Sequence, residues 1–133
     1  MAAIETYKIQ GESYAKLMSF ENWRVAKLNW APQFDKEGFK TMERHMGTDE
    51  VFILYEGQAY LIIGGTGDSP QDISVLKMER GVVYNYPKGA WHHAFCSKDA
   101  TVLIVENEDV SMENSQTAPV SAEDRQKVLS QIV

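Results

Sequence analysis

His45, His92 and His93 are the only three imidazoles in this chain of 133 residues. Imidazole titrates near neutral pH and is the commonest nitrogen ligand of transition metals, so these positions are where chemistry is first sought. Glu43 stands two residues before His45, and Glu50 five residues after it. In an extended segment residues two apart share a face, which sets the Glu43 carboxylate beside the His45 imidazole. Such oxygen and nitrogen donors suit Zn, Mn, Fe or Ni, and the same groups can move protons without a metal. Taken singly, each has an ordinary explanation. His45 could bond to backbone, Glu50 could open a strand, and His92 with His93 could be a surface pair beside Trp91.

Strands must position these groups, because from Trp23 onward short apolar or alternating runs are broken by turn residues. Strands are expected over Trp23 to Trp30, Phe39 to Met46, Glu50 to Glu56, Gln58 to Ile63, Ile73 to Met78, Val82 to Tyr86, Trp91 to Ser97 and Thr101 to Glu106. On the second, Phe39, Thr41, Glu43 and His45 share one face, and Lys40, Met42, Arg44 and Met46 the other. Gly64 to Pro70 reads as a loop without the lysine of a phosphate-binding loop. Eight short strands so spaced predict an all-β sandwich or barrel, and the missing helices exclude a parallel α/β fold.

The ends differ from this core of about 23–108. Ile4 and Tyr7 are expected in an edge strand and Tyr14 to Met18 in a short helical turn. Glu108 to Pro119 reads as a polar connection, and a C-terminal helix is expected over about 121–132, capped by Ser121 with Asp124 in a capping-box place. Val128, Leu129 and Ile132 would be its apolar face.

Length and composition predict one soluble domain, 1–133, with a core that needs no staple. A net charge of −6 without a long basic run argues against nucleic acid or an anionic membrane as partner. The single Cys96 cannot form an internal disulfide and reads as a buried apolar residue; with no leader-like N-terminus and no apolar run long enough to span a bilayer, a cytoplasmic setting is expected.

Two segments have a spacing that composition does not explain. One runs from Gly38 to Gly57, and the other from Gly81 to Cys96, with Pro87, Gly89 and His92 inside it. Together they resemble the two motifs of the cupin superfamily, G-x5-H-x-H-x3–4-E-x6-G and G-x5-P-x-G-x2-H-x3-N. Gly81, Pro87, Gly89 and His92 match the second, with Cys96 replacing its asparagine, and Glu50 and Gly57 match the end of the first. With three residues before Glu50, the histidine places fall on Arg44 and Met46; with four, they fall on Glu43 and His45. The resemblance implies a double-stranded β-helix, or jelly-roll barrel, with its site at the open mouth and a short C-terminal helix outside. The second register makes Glu43, His45, Glu50 and His92 a 2-His-2-carboxylate set for a divalent metal. The first leaves only Glu50 and His92.

The strings Glu43-Arg44-His45 and Trp91-His92-His93 also resemble boxes of the ureidoglycolate lyase family, a branch of the cupin fold. That likeness implies that Arg44 holds a substrate carboxylate in a fork of hydrogen bonds and that the histidines act as acid or base. The leading expectation is a metal-dependent lyase or isomerase acting on a small hydroxy acid, keto acid or sugar derivative, with Glu43 and His93 moving protons. A non-catalytic binding module, its pocket lined by Phe52, Leu54 and Trp91, is the alternative, and a metal-free lyase a third. Glu106 reads as a solvated carboxylate. Exposed strand edges and the family likeness predict a homodimer.

Overall fold

The computed structural model describes residues 3–132. Ten strands form two five-stranded antiparallel sheets. In chain order they are β1 (Tyr14–Phe20), β2 (Trp23–Asn29), β3 (Thr41–His45), β4 (Glu50–Glu56), β5 (Ala59–Ile63), β6 (Ser74–Lys77), β7 (Val83–Tyr86), β8 (His92–Cys96), β9 (Thr101–Asn107) and β10 (Ser115–Pro119), followed by helix α1 (Ala122–Ser130). One sheet has the order β1-β2-β9-β4-β7 and the other β10-β3-β8-β5-β6. All eight expected strands are present; β4 has the expected bounds, β9 runs one residue further, and the others are trimmed by a residue or two at one end or both.

The strands alternate as a two-sided sheet requires. Ala26 and Leu28 of β2, Phe52 and Leu54 of β4, and Val102 and Ile104 of β9 point inward and form the core between the sheets with Leu61, Met78 and Ala94. A second core lies behind the other sheet, where Phe39, Met42, Ile62, Trp91, Phe95 and Val128 pack together. Helix α1 covers this layer: Ser121 caps it by accepting from the Asp124 amide at 3.1 Å, and Val128 is fully buried with Leu129 and Ile132 beside it. Gly57, which closes the first box, has φ +75°, and a Cβ there would lie 2.5 Å from the Ala100 Cα. Only glycine fits both demands.

Four other expectations fail. Tyr14–Phe20 is a strand rather than a helical turn, because it pairs with β2 through six residue pairs. Ile4 and Tyr7 lie in no strand. Within the segment read as a polar connection, Ser115–Pro119 pairs with all of β3 as an edge strand, where polar side chains are tolerated. Phe39 precedes β3 and enters the second core rather than sharing the face of His45.

Candidate metal and proton-transfer site

The groups that could do chemistry gather at one end of the barrel. His45 closes β3, Glu50 opens β4, His92 opens β8 and Glu106 lies next to the end of β9. Hydrogen bonding joins the two boxes there: Glu43 stands opposite His92, the Gly89 amide donates to the His45 carbonyl at 2.9 Å, and the Lys88 amide donates to Asp49 Oδ1 at 2.7 Å. Glu43, His45, Glu50, His92 and Glu106 border a cavity of about 540 Å³, with Leu28, Phe52 and Ile104 among its apolar walls.

Within it, His92 Nε2 lies 3.0 Å and His45 Nε2 3.5 Å from Glu50 Oε1, and Glu43 Oε1 is 3.7 Å from His45 Nε2. Both rings are anchored at the opposite nitrogen: His45 Nδ1 is 2.8 Å from the Ser115 hydroxyl, and His92 Nδ1 is 3.1 Å from the Ala90 carbonyl. Anchoring at Nδ1 leaves Nε2 free to face a ligand, which is how metal-binding histidines are oriented. The His92 ring is further held 4.8 Å from the Tyr86 ring and 5.1 Å from that of His45. Despite the short approach of His92, no contact on Glu50 Oε1 has hydrogen-bond geometry, so this atom is buried without a donor, as is Glu106 Oε1.

Electrostatics separates the two carboxylates. Burial alone would raise Glu50, but His45 and His92 outweigh it and bring its pKa down to about 2. Burial and the charge of Glu50 push Glu106 up to about 7, with Tyr14 opposing them. His92 lies above the ordinary imidazole value: its burial opposes this, and the Glu50 carboxylate prevails.

The donor set fits a divalent ion. Ligand atoms of Glu43, His45 and His92 lie within 4.8 Å of one another, as do those of His45, Glu50 and Glu106. Buried acceptors without donors, facing two anchored imidazole nitrogens, are what a cation would satisfy.

Of the residues expected from the sequence, Glu43, His45, Glu50, His92 and Phe52 border this cavity, so the register that places Glu43 and His45 inward is the one adopted. Three others do not. Arg44, on the opposite face of β3, donates to Gln116 Oε1 at 2.6 and 2.8 Å and to the Gly67 carbonyl at 2.7 Å. Its guanidinium lies 4.6 Å from the centre of the Trp91 ring, and Trp91 Nε1 donates to the same carbonyl at 2.9 Å. Leu54 points inward but lies deeper than Phe52, in the closed core. The wall includes His93, yet its ring lies 5.0 Å from Phe39 and 5.4 Å from Phe95. Burial, reinforced by the charge of His92, takes His93 down to about 4, and its Nε2 has no partner. These are the surroundings of a core aromatic, not of the proton carrier expected. Cys96 is buried as expected, and burial pushes its thiol up to about 12.

Sequence reasoning read Glu106 as solvated, which its burial overturns, and missed Tyr14. Glu106 is 5% exposed and stands directly opposite Glu50 in the β4–β9 pairing. The Tyr14 hydroxyl donates to Glu106 Oε2 at 2.6 Å and accepts from Arg24 Nη1 at 3.1 Å. A carboxylate on the inward face of β9, in phase with Val102 and Ile104, was the available signal.

No protein-family model matches the chain, and no curated protein matches it in sequence. Solved structures do match. A cupin-2 domain protein from Shewanella frigidimarina aligns with a TM-score of 0.52 at 20% identity, covering 74% of this chain and 83% of that one. The chain folds as a cupin. KdgF from Halomonas sp. aligns with this cupin barrel at a TM-score of 0.52 and 12% identity, covering 71% of this chain and 76% of that one. Streptomyces PAC13, solved with uridine and described as a nucleoside dehydratase, aligns at a TM-score of 0.61 and 8% identity over 92% of this chain and 96% of that one. At these identities the likeness is one of fold, and it lends no support to the narrower ureidoglycolate lyase resemblance. No helix among the described residues is long and apolar enough to cross a membrane.

Proposed function

We propose that this cupin is a divalent-metal enzyme of lyase or isomerase type acting on a small polar metabolite. The observation that carries the reading is the convergence of His45 Nε2 and His92 Nε2 on the donor-free Glu50 Oε1 inside one cavity. His45, Glu50 and His92 would hold the ion, with Glu43 as a fourth donor from the solvent side. A bound divalent ion supplies Lewis acidity toward a carbonyl or hydroxyl oxygen. The chain supplies the rest: Phe52 and Ile104 exclude water from the cavity floor, and Glu106 stands beside the ligands to accept or return a proton. That PAC13 is described as a dehydratase, itself a kind of lyase, is consistent with this class of chemistry on the fold.

Elemental analysis of protein purified without chelator or affinity-tag metal is the test. The reading expects about one equivalent of Zn, Mn, Fe or Ni in the parent, by the one-site donor count, and none in a folded His92→Ala variant. Absence of metal from both, after each ion has been offered, would sink it. The metal-free variant in which Arg44 grips a substrate carboxylate is disfavoured, because Arg44 is engaged by Gln116 and Gly67 away from the cavity.

A homodimer belongs to the same reading. The back of the β1-β2-β9-β4-β7 sheet carries cross-strand rows of Val25, Val105 and Val51, ending at Asn85, and of Leu103, Ile53 and Val83, starting from Lys27, whereas α1 covers the other sheet. Val83 is 65% and Val105 36% exposed. These rows contain no carboxylate in a chain of net charge −6, which suits an apolar protein surface. Five strands spaced about 4.8 Å offer roughly 500 Å² per copy, so two copies back to back would bury about 1,000 Å², enough for a specific contact. A second copy is therefore the occupant proposed. Light scattering should give twice the chain mass for the parent and the chain mass for Val105→Lys; a parent monomer at every concentration would exclude the dimer.

A further inference from the structure

We infer that the cavity selects a neutral, hydroxyl-bearing ligand of sugar or polyol type over an anionic one, and that Glu106 Oε1 accepts a hydrogen bond from one of its hydroxyls. The inference rests on the reading of this cavity as the substrate site and narrows the metabolite it takes.

The first observation is a shortage of cations. Arg24 is the only Lys or Arg among the described residues of the cavity wall, and it is already engaged. Its Nη1 donates to the Tyr14 hydroxyl at 3.1 Å, its Nη2 to the Glu108 carbonyl, and its Nε lies 3.5 Å from Glu108 Oε2. A ligand carboxylate or phosphate would find no free guanidinium or ammonium to replace its lost hydration, and burying an unpaired anion is costly.

The second is a surplus of carboxylates. Glu43, Glu50 and Glu106 all border the cavity. A divalent ion held there would have its charge cancelled by Glu43 and Glu50, leaving no excess to attract an anion.

The third is a prepared acceptor. Glu106 is 5% exposed, Tyr14 ties down its Oε2 at 2.6 Å, and its Oε1 has no donor. A hydroxyl supplies that donor and a ligand carboxylate does not. The apolar walls, Phe34, Phe52 and Ile104, suit the C–H faces of a sugar ring, and about 540 Å³ holds a ligand of that size.

The test compares matched probes on the metal-loaded protein by calorimetry and saturation-transfer NMR: glucose with glucuronate, xylose with xylonate, and uridine with uridine monophosphate. In at least one pair the neutral member should bind at least about tenfold more tightly than its anion. Glu106→Ala and Glu106→Leu should each weaken that neutral probe by about tenfold or more while strengthening its anionic partner. A merely structural effect would weaken both. Equal or tighter binding of the anions, or binding of no neutral probe, would overturn the ligand class. Loss of metal from either Glu106 variant would overturn the role of Glu106 by making it a ligand of the ion. Metal content of the parent decides the proposed function separately, so failure of one is not failure of the other.

Discussion

Glu50 and Glu106 stand directly opposite one another across β4 and β9, both 5% exposed, and the structure gives them opposite protonation preferences. Two buried carboxylates side by side cannot both ionise cheaply. The imidazoles of His45 and His92 fall on Glu50, whereas at Glu106 burial and the Glu50 charge outweigh the Tyr14 hydroxyl, so in the metal-free protein the charge resides on the first.

In metal-free protein this pair predicts a stability curve with two limbs. Glu50, near 2 when folded and near 4.5 when unfolded, contributes stability above pH 4.5 that is lost as pH falls toward 2. Glu106, near 7 when folded, binds more protons in the folded state between pH 4.5 and 7, so its contribution is lost as pH rises through that window. Chemical denaturation at a series of pH values should show the acid limb flattened by Glu50→Gln and the neutral limb by Glu106→Gln. Unaltered limbs would contradict this division of charge.

His93 predicts a separate effect. Burial holds it near 4 against 6.5 when unfolded, so between these values the unfolded chain binds the extra proton and stability rises with pH. The difference is worth on the order of 3 kcal/mol. Phenylalanine would keep the packing against Phe39 and Phe95 and remove a buried nitrogen without a partner. His93→Phe should therefore raise the melting temperature most at pH 4 to 6 and leave metal content unchanged. A lower melting temperature across that range would show that the imidazole makes a favourable contact.

Arg44→Ala should damage the fold rather than the cavity. The change removes charge-assisted bonds to Gln116 and Gly67 and the stacking on Trp91, at a cost of about 2–3 kcal/mol. Urea titration reads the loss, and elemental analysis should find the parent's metal content in the folded variant. Metal lost from folded protein would place Arg44 in the working site after all.

Val128→Ala tests whether α1 is a structural cover. Val128 is the one buried residue of the helix, and trimming it should cost about 2 kcal/mol. Hydrogen exchange should then quicken in α1 and in β3 behind it while β4 and β9 stay protected. Uniform acceleration would mean that the second core is not an independent layer.

Much of this was legible in the sequence. The eight strands followed from alternation and turn residues, which are local properties. The spacing of Gly81, Pro87, Gly89 and His92, with Glu50 and Gly57, pointed to the cupin fold, because glycine at Gly57 answers a backbone demand that appears as a fixed position in the chain. Glu43 and His45 shared a face by the two-residue repeat alone. Alternation could not say whether that face or the face of Arg44 lay inside. That choice depended on Met42 packing in the second core and on Arg44 bonding to Gln116, 72 residues away.

The other elements that complete the site were decided only by tertiary structure. Ser115–Pro119 and Tyr14–Phe20 are strands because neighbours accept their hydrogen bonds, and through them Ser115 reaches His45 and Tyr14 reaches Glu106. Glu106 became a buried partner of Glu50 when β9 paired with β4 in one register, and no pattern within either strand specifies that register. The sequence by itself determined which residue types could bind a metal or carry a proton. The closing of the barrel determined which of them meet, because cross-strand contacts arise from long-range pairing and burial that local spacing does not encode.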